Sequence, residues 1–124
     1  MRYTLLLHFP ELGNVLPQET LEQGRQAFQS YVATLHQAGV LVAGEVLQPS
    51  EHSTTLTTAG GEVRVQDGPF ADTKEQLGGT FVIDVPDLDA AIEWAKKAPS
   101  VSWGAVEIRP GATHVVDGVW VRNE

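Results

Sequence analysis

Residues Gln66–Val85, "QDGPFADTKEQLGGTFVIDV", with the run "PDLDAAIEWAKKAP" behind them (Pro86–Pro99), decide the fold. The stretch opens on a turn, Asp67-Gly68-Pro69-Phe70, and gathers Asp72, Lys74 and Glu75. It then passes Gly78-Gly79 and enters a strand from Thr80 to Val85, with Phe81, Ile83 and Val85 on one face. Asp87 is a capping residue, so a helix is predicted from Leu88 to Ala98. Its Leu88, Ala91, Ile92 and Ala95 fall on one stripe, and Pro99 stops it. Strand then capped helix is the second half of a pattern whose first half lies upstream.

Arg2 to Phe9 alternates, with Tyr3, Leu5, Leu7 and Phe9 on one face and Arg2, Thr4, Leu6 and His8 on the other. Pro10 to Pro17 reads as a connecting loop, and Pro17 suits the first position of a helix reaching about Gln37. Leu21, Phe28, Val32 and Leu35 form its predicted apolar stripe, and Gly39 ends it. Val40 to Leu47 is the next strand, broken by Pro49. Thr54 to Thr58 and Glu62 to Gln66 flank Gly60-Gly61, a short-hairpin signal. Downstream, Ala105 to Arg109 is the last core strand, and His114 to Val121 suggests a tail hairpin around Asp117-Gly118. The order β-α-β, inserted hairpin, β-α-β predicts a ferredoxin-like α+β fold: an antiparallel sheet with two helices on one face. The uncovered face predicts a homodimer packed sheet to sheet.

The chain has 124 residues, enough for one domain, and 42% of them are hydrophobic. It contains no cysteine, which excludes disulfides, thiolate metal sites and cysteine nucleophiles. Sixteen acids against 8 bases give a net charge of −8, which disfavours nucleic acid and anionic membrane as partners. There is no long apolar span, and "MRYTLLLHF" lacks the features of a signal peptide, so a cytoplasmic location is expected.

"DGPFADTKEQLGG" (Asp67–Gly79), "FVIDVPDLDAAIEWA" (Phe81–Ala95) and "GAVEIRP" (Gly104–Pro110) together resemble the DGPF branch of the YCII-related proteins. "AGVLVAGEVLQP" (Ala38–Pro49) and the opening "MRYTLLL" strengthen the resemblance, which covers residues 1–110 and leaves 111–124 as a tail. It implies a ferredoxin-like fold that dimerises as an α/β barrel. It also implies a small enzyme with a His–Asp pair suspected as catalytic. Gln26 to Tyr31 offers Phe28 but no histidine where that pair would need one, so the pair does not carry over. The DGPF branch often occurs beside extracytoplasmic-function sigma factors, which implies a regulatory alternative.

Each candidate residue has a structural and a functional reading. Asp67 and Gly68 make a turn, or hold a carboxylate at a cleft mouth. Pro69 and Phe70 are expected as a rigid bend and a core plug. Asp72, Lys74 and Glu75 are a solvated cluster, or Lys74 is held beside an acid to bind an anion. Gly78-Gly79 admits a ligand to the backbone or makes a bulge. Glu107 and Arg109 share a strand face and either pair with Arg2, Arg64 or Glu45, or line a polar pocket. His8 is structural or a general base. His36, His52 and His114 have no metal-ligand spacing, and no serine sits in a nucleophile elbow. The functional expectation is therefore a cofactor-free, metal-free protein with a small-molecule cleft bordered by residues 67–79. In it His8 acts as base, Lys74 or Arg109 holds an anionic group, and Asp67 or Glu107 orients them.

Overall fold

The computed structural model describes residues 1–13 and 15–124; residue 14, within the predicted Pro10–Pro17 loop, lies outside the described residues. Four strands make the main sheet: β1 (Arg2–Pro10), β2 (Leu41–Val46), then, after a hairpin of β3 (Thr54–Ala59) and β4 (Glu62–Asp67), β5 (Glu75–Asp84) and β6 (Ala105–Pro110). Their order is β2-β5-β1-β6, and each neighbouring pair is antiparallel. Helix α1 (Gln18–Gln37) joins β1 to β2, and α2 (Leu88–Ala95) joins β5 toward β6. A tail hairpin, β7 (Thr113–Val116) and β8 (Val119–Arg122), closes the chain. This is the expected ferredoxin-like α+β arrangement.

Alternation decides which face the helices cover. Tyr3, Leu5 and Leu7 of β1 are buried, with Phe81 and Ile83 of β5 opposite them or beside them in register. Tyr31 and Leu35 of α1 and Ala91 and Ala95 of α2 complete this core. Arg2, Thr4, Leu6 and His8 point to the other side, as do Thr80, Val82, Glu107 and Arg109, which are paired with that set or its neighbours. We call this the open face of the sheet.

Helix α2 ends at Ala95 rather than Ala98, and Leu88 of its predicted stripe is 49% exposed; three further expectations change. First, β5 begins at Glu75, not Thr80, because the pairing with β1 slips at Leu7/His8: Leu7 faces Gly79 and His8 faces Leu77. Gly78 is the extra residue of a β-bulge, so the glycine pair lies inside the strand. Second, Phe70 is not a core plug; it is 84% exposed. Third, the α1 stripe is rotated: Tyr31 and Leu35 are buried, while Phe28 and Val32 are only partly buried. Asp87 does cap α2, accepting from the Ala90 N–H at 2.9 Å. Gly60 and Gly61 both hold positive φ, as the tight β3–β4 turn requires.

Tyr31 ties the two helices together. Its ring meets Phe81 edge-on at 5.5 Å, and its hydroxyl donates to the Trp94 carbonyl at 2.9 Å. Burial pushes its phenol up to about 12, because the phenolate would lose water. The folded pKa lies above the unfolded one, so the contribution is complete below the ordinary value of about 10 and is lost as pH rises toward 12. Tyr31→Phe should cost about 1 kcal/mol in urea unfolding at neutral pH, the net value of one hydrogen bond. It should also flatten the loss of stability between pH 10 and 12; an unchanged alkaline profile would contradict this assignment.

Candidate functional site

The first and last strands of the main sheet bring three sequence-chosen residues together. β1 and β6 pair with Leu6 opposite Glu107 and His8 opposite Ala105. His8 and Glu107 are therefore diagonal neighbours on the open face, and Arg109 stands two residues further along β6. The His8 Nε2 lies 3.3 Å from Glu107 Oε1. The Arg109 guanidinium donates to the other carboxylate oxygen, Oε2, at 2.5 Å. One carboxylate thus sits between an imidazole and a guanidinium. The three side chains are 32% (His8), 44% (Glu107) and 69% (Arg109) exposed, so the cluster is open to solvent.

Arg109, and to a lesser extent His8, hold the Glu107 carboxyl below the usual glutamate range. When His8 carries its proton on Nε2 and donates it to Glu107, Nδ1 presents a lone pair. A carboxylate that orients an imidazole in this way is a general-base arrangement. Of the expected structural partners of Glu107 and Arg109, neither Arg2, Arg64 nor Glu45 pairs with them among the described residues; they pair with each other and with His8.

Gly104 sets the approach of β6 to His8. A Cβ there would lie 2.1 Å from the His8 carbonyl oxygen and 2.9 Å from Phe9 Cβ. Only a residue without a side chain lets the strand start so close to β1.

The loop candidates divide. Glu75 faces Pro10 and lies two residues from Leu77, the partner of His8, so it shares the open face with His8. Asp67 ends β4 and is exposed, and Asp72 and Lys74 are exposed as well. Among the described residues, none of Asp67, Asp72, Lys74 and Glu75 enters an ion pair. The loop is stitched by neutral groups instead. The Gly68 N–H donates to Ser53 O and Thr55 Oγ1 donates to Gly68 O, both at 2.8 Å. The Gln76 amide reaches back to Ala71 O and Thr73 O. The Asp67–Phe70 turn is thus fastened to the start of the β3–β4 hairpin rather than to the His8 cluster.

Sequence reasoning missed a cleft of about 520 Å³ between α1 and β2. Arg25, Phe28, Gln29 and Val32 line it from the helix, and Gly44, Val46 and Phe81 from the sheet. The signal was present in the i, i+3, i+4, i+7 spacing of the helix residues, one turn around from the buried stripe. A smaller cleft of about 230 Å³ lies by Glu11 and Ser50, where Glu11 accepts from the Ser50 N–H at 2.6 Å and from its hydroxyl. Neither cleft includes any of the residues chosen from sequence. Among the described residues, no group of three or more His, Cys, Asp or Glu is placed to hold a metal ion, and no helix is long and apolar enough to cross a membrane.

The fold and this cluster define a ferredoxin-like α+β protein with a His–Glu–Arg constellation on its open sheet face. The chain belongs to the YCII-related family, whose domain model matches residues 1–112. It is also 41% identical over 80 residues to an uncharacterized protein of Rhizobium meliloti (strain 1021). That match spans 63% of this chain and 64% of the length of the relative.

Two outcomes check the geometry. Gly104→Ala should lose about 1–3 kcal/mol, the usual cost of forcing a methyl into a packed site, and should shift the His8 ring resonances in NMR. Arg109→Gln should let the Glu107 carboxyl titrate closer to the ordinary glutamate range in carboxyl-carbon NMR. The sign follows from the lowered pKa: the pairing contributes above the ordinary value and is lost as pH falls through the depressed one.

Proposed function

We propose that His8, Glu107 and Arg109 form an acid–base site for a small anionic molecule. The carrying observation is the single carboxylate held at 3.3 Å from an imidazole and 2.5 Å from a guanidinium on one sheet face. In this reading Glu107 orients His8, His8 takes or gives a proton through Nδ1, and Arg109 anchors the anionic group of the ligand through the guanidinium N–H groups that Glu107 leaves free. Acid–base chemistry of this kind uses no cofactor. The suspected His–Asp pair of the family would here be replaced by a His–Glu pair on different strands. Membership of the DGPF branch is part of the proposal and rests on the Asp67-Gly68-Pro69-Phe70 turn.

The experiment is a panel of small mono- and dicarboxylic acids titrated into the isotope-labelled protein and followed by NMR. Binding should move the His8 and Arg109 signals together, and His8→Gln or Arg109→Gln should weaken it at least about tenfold, the worth of one charge-assisted hydrogen bond. Lys74→Ala and Asp67→Ala should leave it unchanged. A ligand whose binding ignores His8 and Arg109, or a panel without any response, sinks the reading.

A second reading, a regulatory module that binds an extracytoplasmic-function sigma factor, is favoured by the tail hairpin. It lies beyond residues 1–112 and exposes Val115, Val119 and Trp120. If it is correct, Trp120→Ala should abolish binding to a purified, co-encoded sigma factor while leaving the His8 signals in place.

A further inference from the structure

The cleft of about 520 Å³ between α1 and β2 shares no residue with the His8 cluster. Its size falls within the range of small-molecule sites. Helix and strand are joined through residues 38–40, so they run antiparallel and the cleft has a near and a far end. Val32 and Leu41 stand nearest that connection, Phe28 and Gly44 midway, and Arg25 and Val46 farthest from it.

The walls are aromatic and aliphatic. Phe81 pairs with Gly44 on the neighbouring strand, and its ring lies across that glycine: a Cβ there would come within 2.6 Å of the ring carbon Cδ1. Gly44 does not hold a positive φ, so its backbone does not demand glycine; the ring does. The buried Tyr31 fixes the same ring edge-on at 5.5 Å. Phe28 supplies a second ring from the helix and leans on Trp103 at 6.3 Å. Phe28, Val32 and Leu41 are only partly buried, and Val46 is 74% exposed, so the cleft keeps apolar surface in water.

The far end is polar. Arg25 and Gln29, one turn apart on α1, both border the cleft. Glu22 accepts from Nη1 of Arg25 at 2.8 Å, which leaves most of the five guanidinium N–H groups to solvent. The Leu47 N–H bonds to Gly78 O, so by alternation the Val46 N–H turns away from β5 at this same end. Glu45 also borders the cleft, but it pairs with Thr80 and carries its carboxylate on the open face. We propose that this cleft binds a small aromatic carboxylic acid. Its ring system lies between Phe28 and Phe81 and reaches toward Val32, and its carboxylate meets Arg25, Gln29 and the Val46 N–H. Arg25 is the one cation on the cleft wall, which sets the sign of the ligand. Two rings on facing walls favour a flat aromatic body. The net charge of −8 opposes an anion at long range, so the apolar body must supply much of the affinity. The inference goes beyond the acid–base reading and does not rest on it.

The probe is 2-naphthoate, titrated into the isotope-labelled protein and followed by NMR. It should shift the Gly44 and Val46 amides and the Val32 methyl groups while the His8 signals stay in place. 2-Naphthylmethanol, the same rings without the charge, should bind at least about tenfold more weakly, and acetate should leave the cleft signals unmoved. Arg25→Gln should weaken naphthoate binding about tenfold and erase its advantage over the alcohol. Glu22→Gln should tighten it by up to about fivefold, because it frees the guanidinium from an exposed pair. Both side chains are more than half exposed, so both variants should keep the circular dichroism of the parent chain. Cleft signals that ignore naphthoate, an alcohol that binds as tightly as the acid, or binding indifferent to Arg25→Gln overturns the assignment. Naphthoate that moves His8 and Arg109 alone also overturns it and leaves the acid–base cluster standing. Movement of the cleft signals alone supports it whatever becomes of that cluster.

Discussion

β1 is bonded along both edges, to β5 and to β6, and its Tyr3, Leu5 and Leu7 are buried beneath the helices. Everything on the open face depends on that commitment. Side chains in a strand alternate strictly, so a slip of one residue would bury Thr4, Leu6 and His8 and expose Tyr3, Leu5 and Leu7. The apolar face wins by several kcal/mol, since burying each large aliphatic side chain is worth about 1.5–3 kcal/mol. The position of the candidate base is therefore fixed by its hydrophobic neighbours rather than by any polar contact of its own.

The bulge at Gly78 extends the same logic. It lets β5 remain paired with β1 past Leu7, bringing Leu77 and Glu75 onto the His8 side. Without the extra residue the parity of β5 would place Gln76 there instead. One glycine thus decides which side chains border the imidazole. Gly104 acts on the other flank, where it lets the start of β6 pass against the His8 carbonyl. The cluster is held between the Gly78 bulge on one flank and the close backbone approach at Gly104 on the other, which suits a site that needs its base in one place.

Much of this was legible in the sequence. Alternation in β1, the Asp87 cap and the Gly60-Gly61 turn each rest on local chemistry, and each element formed where that chemistry pointed. The misses are of another kind. Phe70 looked like a core residue because it is large and apolar, yet its loop is fastened by Gly68, Thr55 and Gln76 without burying it. Tyr31 was overlooked because its hydroxyl satisfies itself on Trp94, a partner 63 residues away. Asp72 and Lys74 are exposed, as the solvated reading of that cluster expected. His8 and Glu107 were each picked out as candidates from the sequence, but their contact spans 99 residues and exists only once the β1–β6 register is known.

The central position of β1 has a consequence for how the chain is made. A ribosome delivers β1 before either of its neighbours, and β6 comes last among the main strands. Until β5 emerges, the segment "TLLLHF" has no strand to bond and only α1 to shelter it. Pairings between such distant segments form slowly, and the exposed strand is a site for aggregation in the interval. For a nascent chain of this family, the vulnerable moment falls during synthesis, and it ends only when the last strand closes over the first.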